Sequence, residues 1–348
     1  YYDKTPINNS KTHLIAHTTN QNTNIDYEFV NSVNITLKDI NSGVDEIIDK
    51  TKAYNWQIGS RLQWLNNKNF IYNTIVKQRI CSKIYNIESK SFKILPTPIF
   101  DCHKDIFGIG LSFKKLFLNH KEYGYNINNY SENSFVNDCI FKINFNDKKI
   151  KEIVSIDQVN RLLNKKINDG FFNHIMISPN GDKLIFIYRY FDENQLRKDH
   201  LFLFNFKSKK LSCLVNTGYV SHLNWFNNST LIGYYRNRFG IDSLNLIKLK
   251  VNGFQEEMLL KDINDGHPVK FDENNIIFDS YPNFFRLKSI FKFNIRDKKL
   301  KRICKIYEGF KFRGSFRCDL HPRISENAIY IDSVHEGERN MYRIDINI

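Results

Sequence analysis

The chain has 348 residues, and its 51 lysines and arginines against 37 aspartates and glutamates give a formal charge of +14 at neutral pH. Hydrophobic residues at 41% and aromatic residues at 14% exclude a disordered chain, and no apolar run reaches the roughly 18 residues of a membrane span. Six cysteines without a C-x-x-C pair argue against a disulfide or zinc framework, and the positive charge favours an anionic partner, although lysines on solvated loops would produce the same excess.

A pair of short strands joined by a polar turn recurs along the chain. The clearest copy runs from His174 to Tyr188 through a tight Asn-Gly turn. In chain order the copies begin at Lys4, Arg61, near Pro98, and at His174, His222, His267 and His321. In five of them the residue ten places later is aliphatic, which argues against an accident of composition: Ile71, Leu184, Ile232, Ile277 and Ile331.

A second hairpin with a basic or Gly/Asn turn follows each strand pair. These hairpins lie at 31–48, 83–96, 139–154, 201–215, 244–260 and 289–306, with an unfinished one at 340–348. Seven units of four short strands, spaced by about 40 to 50 residues, are typical of propeller blades. The sequence therefore predicts an all-β, seven-bladed β-propeller of four-stranded antiparallel blades, forming a single domain over residues 1–348.

Two segments depart from the strand pattern. Residues 156–167 are predicted to form a helix that links blades three and four, whereas apolar residues elsewhere alternate with the period of a strand. The insertion at 114–137 contains Tyr123, Tyr125 and Tyr130. It is either a lid that stacks on sugars or an ordinary surface loop.

The sequence also leads to expectations about the two ends of the chain. The seventh unit ends after its third strand, so we expect its outer strand to come from residues upstream of Tyr1. The first residue is not Met, so targeting information upstream is not seen. A bacterial cytoplasmic location is favoured, with export left open, and the protein is expected to be a monomer.

The register of the repeat predicts where functional side chains gather. In a propeller the innermost strands line the axial channel, so the first residues of successive copies are expected to converge: Lys4, Arg61, His174, His222, His267 and His321. The connection between the second and third strands lies on the same face and carries His17, Arg189, Arg236, Tyr281 and His335. Imidazole and guanidinium groups suit carboxylate or phosphate recognition, and three imidazoles that meet suit a divalent metal.

Three short sequence segments in adjacent blades make the metal hypothesis more specific. They lie at 265–268, 317–323 and 332–337, and they place His267, Asp319, His321 and His335 as ligands of one ion, with Mn, Fe or Zn suited to mixed imidazole and carboxylate donors. The alternative is that each histidine is only a hydrogen-bonded structural residue and that Asp319 caps a turn.

On the blade pattern and these His-Pro strings, the chain resembles the oligogalacturonate lyase-like propellers, which are relatives of the TolB-type repeat. The resemblance implies a divalent metal held by histidines at the channel mouth and cleavage of uronate-containing oligosaccharides by β-elimination. Where that family has a His-Pro-His-Pro pattern, this chain has Asp319, Leu320, His321 and Pro322.

The resemblance also implies roles for single residues. The metal, with Arg236 or Arg61, would neutralise the substrate carboxylate, and His222, or His174 as second choice, would be the general base. The residues expected to bind the rest of an acidic oligosaccharide or polysaccharide are Arg189, Tyr281, Arg317 and Arg323.

Other function classes find less support in the sequence. It has no G-x-S-x-G nucleophile elbow and no P-loop, and its lysines are scattered through hairpin turns, so nucleic-acid binding ranks third. The main alternative to a lyase is a non-catalytic platform that binds a glycan or a protein in a surface-polysaccharide pathway.

Overall fold

The computed structural model describes residues 1–346 except 27, 29, 127–129 and 134–137. The fold is an all-β, seven-bladed β-propeller, as predicted, and the seventh blade has three strands. The chain divides into two compact units. The first comprises Tyr1, Asp3–Lys166 and Arg313–Arg317, and the second comprises Tyr2, Ile167–Phe312 and Cys318–Ile348. That the whole chain is one domain stays a prediction.

The first unit contains blades one to three, each an antiparallel sheet. Blade one consists of β1 (His13–Thr18), β2 (Val33–Asp39) and β3 (Asp45–Thr51), and an isolated bridge between Ile7 and Leu14 stands at its inner edge. Blade two consists of β4 (Gln63–Trp64), β5 (Asn69–Val76), β6 (Arg79–Asn86) and β7 (Ser91–Leu95). Blade three consists of β8 (Asp101–His103), β9 (Phe107–Gly110), β10 (Cys139–Asn144) and β11 (Ile150–Ser155).

The second unit contains blades four to seven. Blade four consists of β12 (Phe171–Ile177), β13 (Lys183–Phe191), β14 (Arg197–Asn205) and β15 (Leu211–Gly218). Blade five consists of β16 (Val220–Asn227), β17 (Thr230–Arg236), β18 (Asp242–Lys250) and β19 (Gly253–Lys261). Blade six consists of β20 (Val269–Lys270), β21 (Asn275–Asp279), β22 (Leu287–Asn294) and β23 (Lys299–Tyr307), and blade seven consists of β24 (Arg323–Ser325), β25 (Ala328–Ser333) and β26 (Asn340–Asp345).

The aliphatic residues that mark the repeat form the core between sheets. All five are buried, and Ile277 and Ile331 pack in one cluster with Ile290 and Leu320. Because side chains alternate across a strand, neighbouring blades of one unit bury facing apolar sets, as blades five and six do around Ile232 and Ile276. The six cysteines are free thiols in this structure.

The helix predicted at 156–167 is present but shorter. It spans Ile156–Leu163 (α2), and its capping box pairs Ser155 with Gln158. Asn164 adopts the left-handed conformation and ends the helix, so the prediction overran by one turn. No helix in the described part of the chain is long and apolar enough to cross a membrane.

The described part of the insertion at 114–137 places Tyr123 and Tyr125 in the protein interior, so neither ring is exposed for sugar stacking in this structure. It begins in an unpredicted helix, Phe113–Asn119 (α1), whose first backbone N–H groups donate to Glu132. Tyr125 is fully buried, stacks on Phe113 at 4.3 Å between ring centroids and accepts a hydrogen bond from Asn73. Tyr123 is buried as well, and Tyr130 is half-buried, while residues 127–129 and 134–137 of the insertion lie outside the described residues. Tyr125 thus packs in the core on Phe113, and Tyr123 packs on the rings of Tyr1 and His120.

Candidate functional site

Four histidines from the four blades of the second unit lie in a row of contacting rings. The distances between ring centroids are 5.4 Å from His174 to His222, 4.0 Å from His222 to His267, and 4.4 Å from His267 to His321. All four side chains are buried. Residues 45 to 54 positions apart in sequence become neighbours because each stands at or near the start of an innermost strand. We call these four residues the histidine row.

Local irregularities of the backbone orient the side chains of the histidine row. The pairing of β12 with β13 shifts register at His174, and the pairing of β16 with β17 shifts before His222. His174 has a φ of 49° and His321 a φ of 46°, in the left-handed region. A residue with a Cβ is disfavoured there by roughly 1–2 kcal/mol. Strain at the same register in two blades is typical of a functional site.

Two aspartates hold the central imidazoles in place. Asp279 accepts hydrogen bonds from the backbone N–H of His267 at 2.6 Å and of His321 at 3.1 Å, and its two oxygens lie 2.9 and 3.0 Å from His267 Nδ1. Asp265 lies 3.2 Å from His222 Nδ1 and accepts a hydrogen bond from the Ser221 hydroxyl. A carboxylate that contacts Nδ1 keeps the imidazole proton on that nitrogen. Nε2 is then the nitrogen that would contact a bound ligand.

Among His222, His267 and His321, only His267 has a raised pKa. Burial lowers the pKa of His222, and the charge of His267 lowers it further. Burial and His267 also lower the pKa of His321 well below its ordinary value. Burial would lower the pKa of His267 too, but the Asp279 carboxylate outweighs it and raises the pKa. Like charges in contact disfavour one another, so the carboxylate beside His267 makes its pKa shift opposite in direction to those of His222 and His321.

Three of the predicted metal ligands come together. His267, Asp319 and His321 each place one ligand atom within 4.8 Å of the others, and all three are buried. Two imidazoles and one carboxylate suit Mn, Fe or Zn, and Asp279 behind His267 supplies the outer carboxylate that such ligands usually have. The donor set therefore fits a divalent transition metal.

The fourth predicted ligand, His335, lies elsewhere. Strand β25 ends at Ser333, and the chain turns so that His335 is exposed. Its Nδ1 is 2.8 Å from the Ser333 hydroxyl, and its ring packs on Tyr342 at 4.4 Å. The structure therefore does not bring His335 into the group formed by His267, Asp319 and His321.

A buried lysine stands beside the carboxylate ligand. Lys288 Nζ lies 3.8 Å from Asp319 Oδ1, 2.7 Å from Glu308 Oε1 and 2.6 Å from the carbonyl oxygen of Cys318. Glu308 also accepts a hydrogen bond from the Cys318 backbone N–H at 3.0 Å. These contacts hold the segment that carries Asp319, and neither Lys288 nor Glu308 was found by sequence reasoning.

Two tyrosines border the histidine row. Tyr281, predicted to bind substrate, has its ring 6.3 Å from that of His222 and 6.1 Å from that of His267. Tyr2 was not predicted; its ring lies 4.9 Å from His267, 6.0 Å from His222 and 6.2 Å from His321. Nothing in the repeat pattern points to Tyr2, because it precedes the first copy.

The second-unit arginines predicted to contact substrate are Arg189, Arg236 and Arg323. Arg236 is the most exposed of the three. It forms a two-point ion pair with Asp242, at 2.9 and 3.1 Å, and its guanidinium lies over the ring of Tyr219. The Tyr219 hydroxyl lies 3.4 Å from Asp265, which links Arg236 to the carboxylate that holds His222.

The other predicted arginines of this unit are engaged in the fold. Arg189 is buried against Asp199 at 2.9 Å and donates to the carbonyl oxygen of Val220. Arg323 binds Asp332 at 2.7 Å, and another oxygen of Asp332 lies 3.9 Å from His321 Nδ1. Arg323 therefore borders the histidine row through a carboxylate, whereas Arg189 ties two blades together.

The predicted site residues of the first unit have partners within that unit. Arg61, also in the left-handed conformation, is buried and makes a two-point ion pair with Asp3 at 2.8 and 3.2 Å. Lys4 pairs with Asp101, Arg317 pairs with Glu122, and His17 Nε2 lies 2.8 Å from the Ser60 hydroxyl.

Comparison with known proteins identifies the fold. No protein-family model and no curated protein matches the sequence. An oligogalacturonate lyase from Vibrio parahaemolyticus is similar, with 12% identity, a TM-score of 0.67, and coverage of 100% of this chain and 90% of that one. An oligogalacturonate lyase in complex with manganese gives 12% identity, a TM-score of 0.70, and coverage of 100% and 89%. At these identities the likeness establishes the shared propeller fold, and the resemblance inferred from the blade pattern is confirmed at that level.

Proposed function

We propose that the protein binds a uronate-containing oligosaccharide at the histidine row and cleaves it by β-elimination with the help of a divalent metal. The observation that carries the proposal is the meeting of His267, Asp319 and His321 as a mixed donor set, with His222 in ring contact beside it. The solved propeller of similar fold that contains manganese supports the choice of metal.

His267, Asp319 and His321 would hold the metal. A bound divalent ion supplies positive charge to the substrate carboxylate, which makes the proton on the adjacent carbon more acidic. Asp279 orients His267 by its contact with Nδ1, and Lys288 holds the segment that presents Asp319.

His222 would be the general base. Because Asp265 contacts Nδ1, the proton resides there and Nε2 is left to accept the one on the carbon next to the substrate carboxylate. As that carbon–hydrogen bond breaks, a double bond forms to the neighbouring ring carbon. The glycosidic carbon–oxygen bond on that neighbour breaks in turn, its electron pair leaves on oxygen, and the oxygen takes up the proton that Nε2 can return.

Arg236 is the better of the two arginines proposed for neutralising the substrate carboxylate. Its side chain is 44% exposed, so it can exchange part of its pairing with Asp242 for a ligand, and Tyr219 and Asp265 connect it to His222. Arg61 is held on both guanidinium nitrogens by Asp3 and is buried.

A non-catalytic glycan or protein platform is the second candidate. It is favoured by the pairing of Arg61, Arg189 and Arg323 with aspartates, because a paired guanidinium has less positive charge to offer a substrate carboxylate. Binding without turnover would then use Tyr281 and the exposed Arg236.

An assay of oligogalacturonate cleavage separates the two candidates. We expect Mn²⁺ to support release of products with the ultraviolet absorbance of an unsaturated uronate, and excess chelator to abolish it. His222→Ala and His321→Ala should each lower kcat/KM by roughly 10²-fold or more.

His200→Ala is the matched control. His200 is a buried histidine of the same unit that stacks on Tyr190 and lies outside the histidine row, so its loss should leave turnover near that of the wild type. Oligogalacturonate that binds without turnover or metal dependence would indicate the platform. Turnover and binding that both survive His222→Ala and His321→Ala would exclude both candidates.

A further inference from the structure

The connections between the second and third strands of blades four, five and six share one loop structure. In each loop, the side-chain oxygen of the first residue, an Asp or Asn, accepts hydrogen bonds from the backbone N–H groups two and four residues later. The backbone N–H of the same residue donates to the carbonyl oxygen four residues later, and the fourth residue is in the left-handed conformation. The three loops are 192–196, 237–241 and 283–287.

The three loops differ in the side chains that they expose. The second and third loop residues are Glu and Asn in blade four, Arg and Phe in blade five, and Phe and Phe in blade six. Phe239 and Phe285 are each 70% exposed, and Phe284 is 89% exposed. Because blade four forms the same loop with polar residues at these positions, the loop structure does not require phenylalanine. We call Phe239, Phe284 and Phe285 the aromatic tips, and exposed apolar rings grouped in this way indicate a binding surface.

The aromatic tips belong to the blades that carry His222 and His267. Because the strands of a blade are antiparallel, the connections between the second and third strands lie on the same face as the starts of the innermost strands. On blade five, Arg236 directly precedes the loop. On blade six, Tyr281 stands two residues before the loop, and its ring lies 6.3 Å from that of His222. The aromatic tips therefore extend the candidate site outward along both blades.

Arginines accompany the aromatic tips on blade five. The Arg238 side chain is 70% exposed, and its Nε lies 3.9 Å from Glu256, beyond hydrogen-bond distance. The Arg238 guanidinium lies 4.8 Å from the centre of the Phe239 ring, and Arg236 is exposed two residues earlier. A uronate unit has an apolar C–H face and a carboxylate, which suit an aromatic ring and a guanidinium respectively. The exposed chemistry of blade five therefore matches that of an acidic sugar chain.

We propose that the aromatic tips and Arg238 bind the outer units of a polyuronate chain whose inner end lies at the histidine row. This inference rests on the proposed function and adds that the ligand is longer than a disaccharide. His222 pairs with Tyr234 across strands β16 and β17, and Phe239 lies five residues beyond Tyr234. At a rise of about 3.4 Å per residue, the span is up to about 17 Å. A disaccharide is shorter than this span, so only a longer chain contacts both His222 and Phe239.

The dependence of affinity on ligand length tests the proposal. Isothermal titration calorimetry of chelator-treated protein would compare digalacturonate with hexagalacturonate while metal-dependent turnover is blocked. We expect the wild type to bind hexagalacturonate more tightly by roughly tenfold or more. Phe239→Ala and Phe285→Ala should each weaken hexagalacturonate binding by roughly threefold to tenfold and leave digalacturonate binding unchanged.

Leu196→Ala is the matched control. Leu196 is 57% exposed on the loop of blade four, which has the same structure but lacks the phenylalanines. Its removal should leave both affinities unchanged, and circular dichroism would establish that each variant is folded. Equal affinity of the wild type for the two ligands would overturn the proposal. A preference for hexagalacturonate that survives in the double variant of Phe239→Ala with Phe285→Ala would overturn it as well.

Product formation with Mn²⁺ keeps this result separate from the lyase hypothesis. Hexagalacturonate binding that depends on the aromatic tips, without release of unsaturated product, would support the proposal and count against cleavage. Equal kcat/KM for the two ligands in the wild type and in both phenylalanine variants would support cleavage and overturn a role for the tips. If neither ligand binds with or without Mn²⁺, the proposed function and this inference both fail.

Vesicles of phosphatidylglycerol test whether the aromatic tips instead contact a lipid surface. We expect the wild type and Phe284→Ala to remain equally in the supernatant when such vesicles are sedimented. Sedimentation of the wild type but not of Phe284→Ala, together with hexagalacturonate binding that does not depend on the tips, would overturn the proposal in favour of a membrane surface.

Discussion

At the scale of single residues, the arginines of this protein show how burial sets the role of a charge. Arg61 stands at the register where other blades have histidine, yet its guanidinium is buried and paired on two nitrogens with Asp3. A buried charge needs a partner, and a partner of opposite sign removes most of its attraction for a ligand. Arg236 keeps an exposed side chain and so remains the one suited to substrate.

The ion pair of Asp3 with Arg61 leads to a prediction with a defined pH dependence. Burial would raise the pKa of Asp3, but Arg61 and Lys4 lower it well below its ordinary value. The stabilisation is therefore complete above the unfolded pKa of about 4 and is lost as the pH falls through the lower folded pKa. Asp3→Asn should lower the free energy of unfolding at pH 7 by about 3–5 kcal/mol, as measured by urea unfolding.

Urea unfolding of the same two proteins at lower pH tests whether the ion pair of Asp3 with Arg61 causes the difference in stability. The difference between the wild type and Asp3→Asn should stay constant from pH 7 to about 5 and shrink only in stronger acid. Asp45→Asn, which breaks an exposed pair with Lys38, should have little effect at any pH. A difference that is already small at pH 7 would mean that the pair contributes no net stability.

At the scale of elements, the candidate site depends on strands that carry none of its ligands. Strand β22 contributes Lys288, which bonds the Cys318 carbonyl and Glu308 and so positions the segment of Asp319. Glu308 follows β23, and Arg286 binds its second oxygen. Asp319, the candidate carboxylate ligand, is thus held by a buried charge network from the neighbouring blade.

Removal of the buried ammonium should be costly. Lys288→Met leaves the buried Asp319 without the Lys288 ammonium and leaves Glu308 with Arg286 as its cation, and we expect a loss of about 3–5 kcal/mol in the free energy of unfolding. Asp319→Asn in the same chain should restore part of it, because the carboxylate that lost the ammonium is then removed. Lys298→Met, at an exposed pair with Glu257, is the control. A single Lys288→Met variant as stable as the wild type would contradict this account.

At the scale of the whole molecule, a metal at the candidate site would couple binding to stability. His267 and His321 come from blades six and seven, so an ion that both hold only in the folded protein would stabilise their packing. Mn²⁺ at 100 times its Kd should add about 2.7 kcal/mol and raise the thermal midpoint, and chelator should reverse the effect. His267→Ala and His321→Ala should abolish the shift, while His200→Ala should keep it. A midpoint that does not move with Mn²⁺ would exclude the site.

The blade repeat and the histidine register could be predicted because both depend on short-range patterns. Alternating apolar residues and tight turns specify hairpins locally, so the aliphatic positions such as Leu184 and Ile232 are buried as expected. Helix α1 was missed although Ser112 caps it locally by accepting a hydrogen bond from the Lys115 backbone N–H, because seven residues are too few to show a clear helical period and the second cap, Glu132, lies 19 residues away in sequence. The Asp279 contact to His267 had a weak signal, an acidic residue at the end of the second strand of the same blade.

The sequence by itself determined the propeller, its seven units and the meeting of imidazoles from successive blades, since equal register implies equal position in a repeated blade. Only the tertiary structure decided which of the predicted side chains can contact a ligand. Asp3 and Asp199 occupy Arg61 and Arg189, His335 turns outward, and Tyr2 packs against the histidine row. The pairs of Asp3 with Arg61 and of Tyr2 with His267 join residues far apart in sequence, whereas Arg189 and Asp199 face each other across one hairpin. In each case the choice of partner depends on burial and charge in the folded chain.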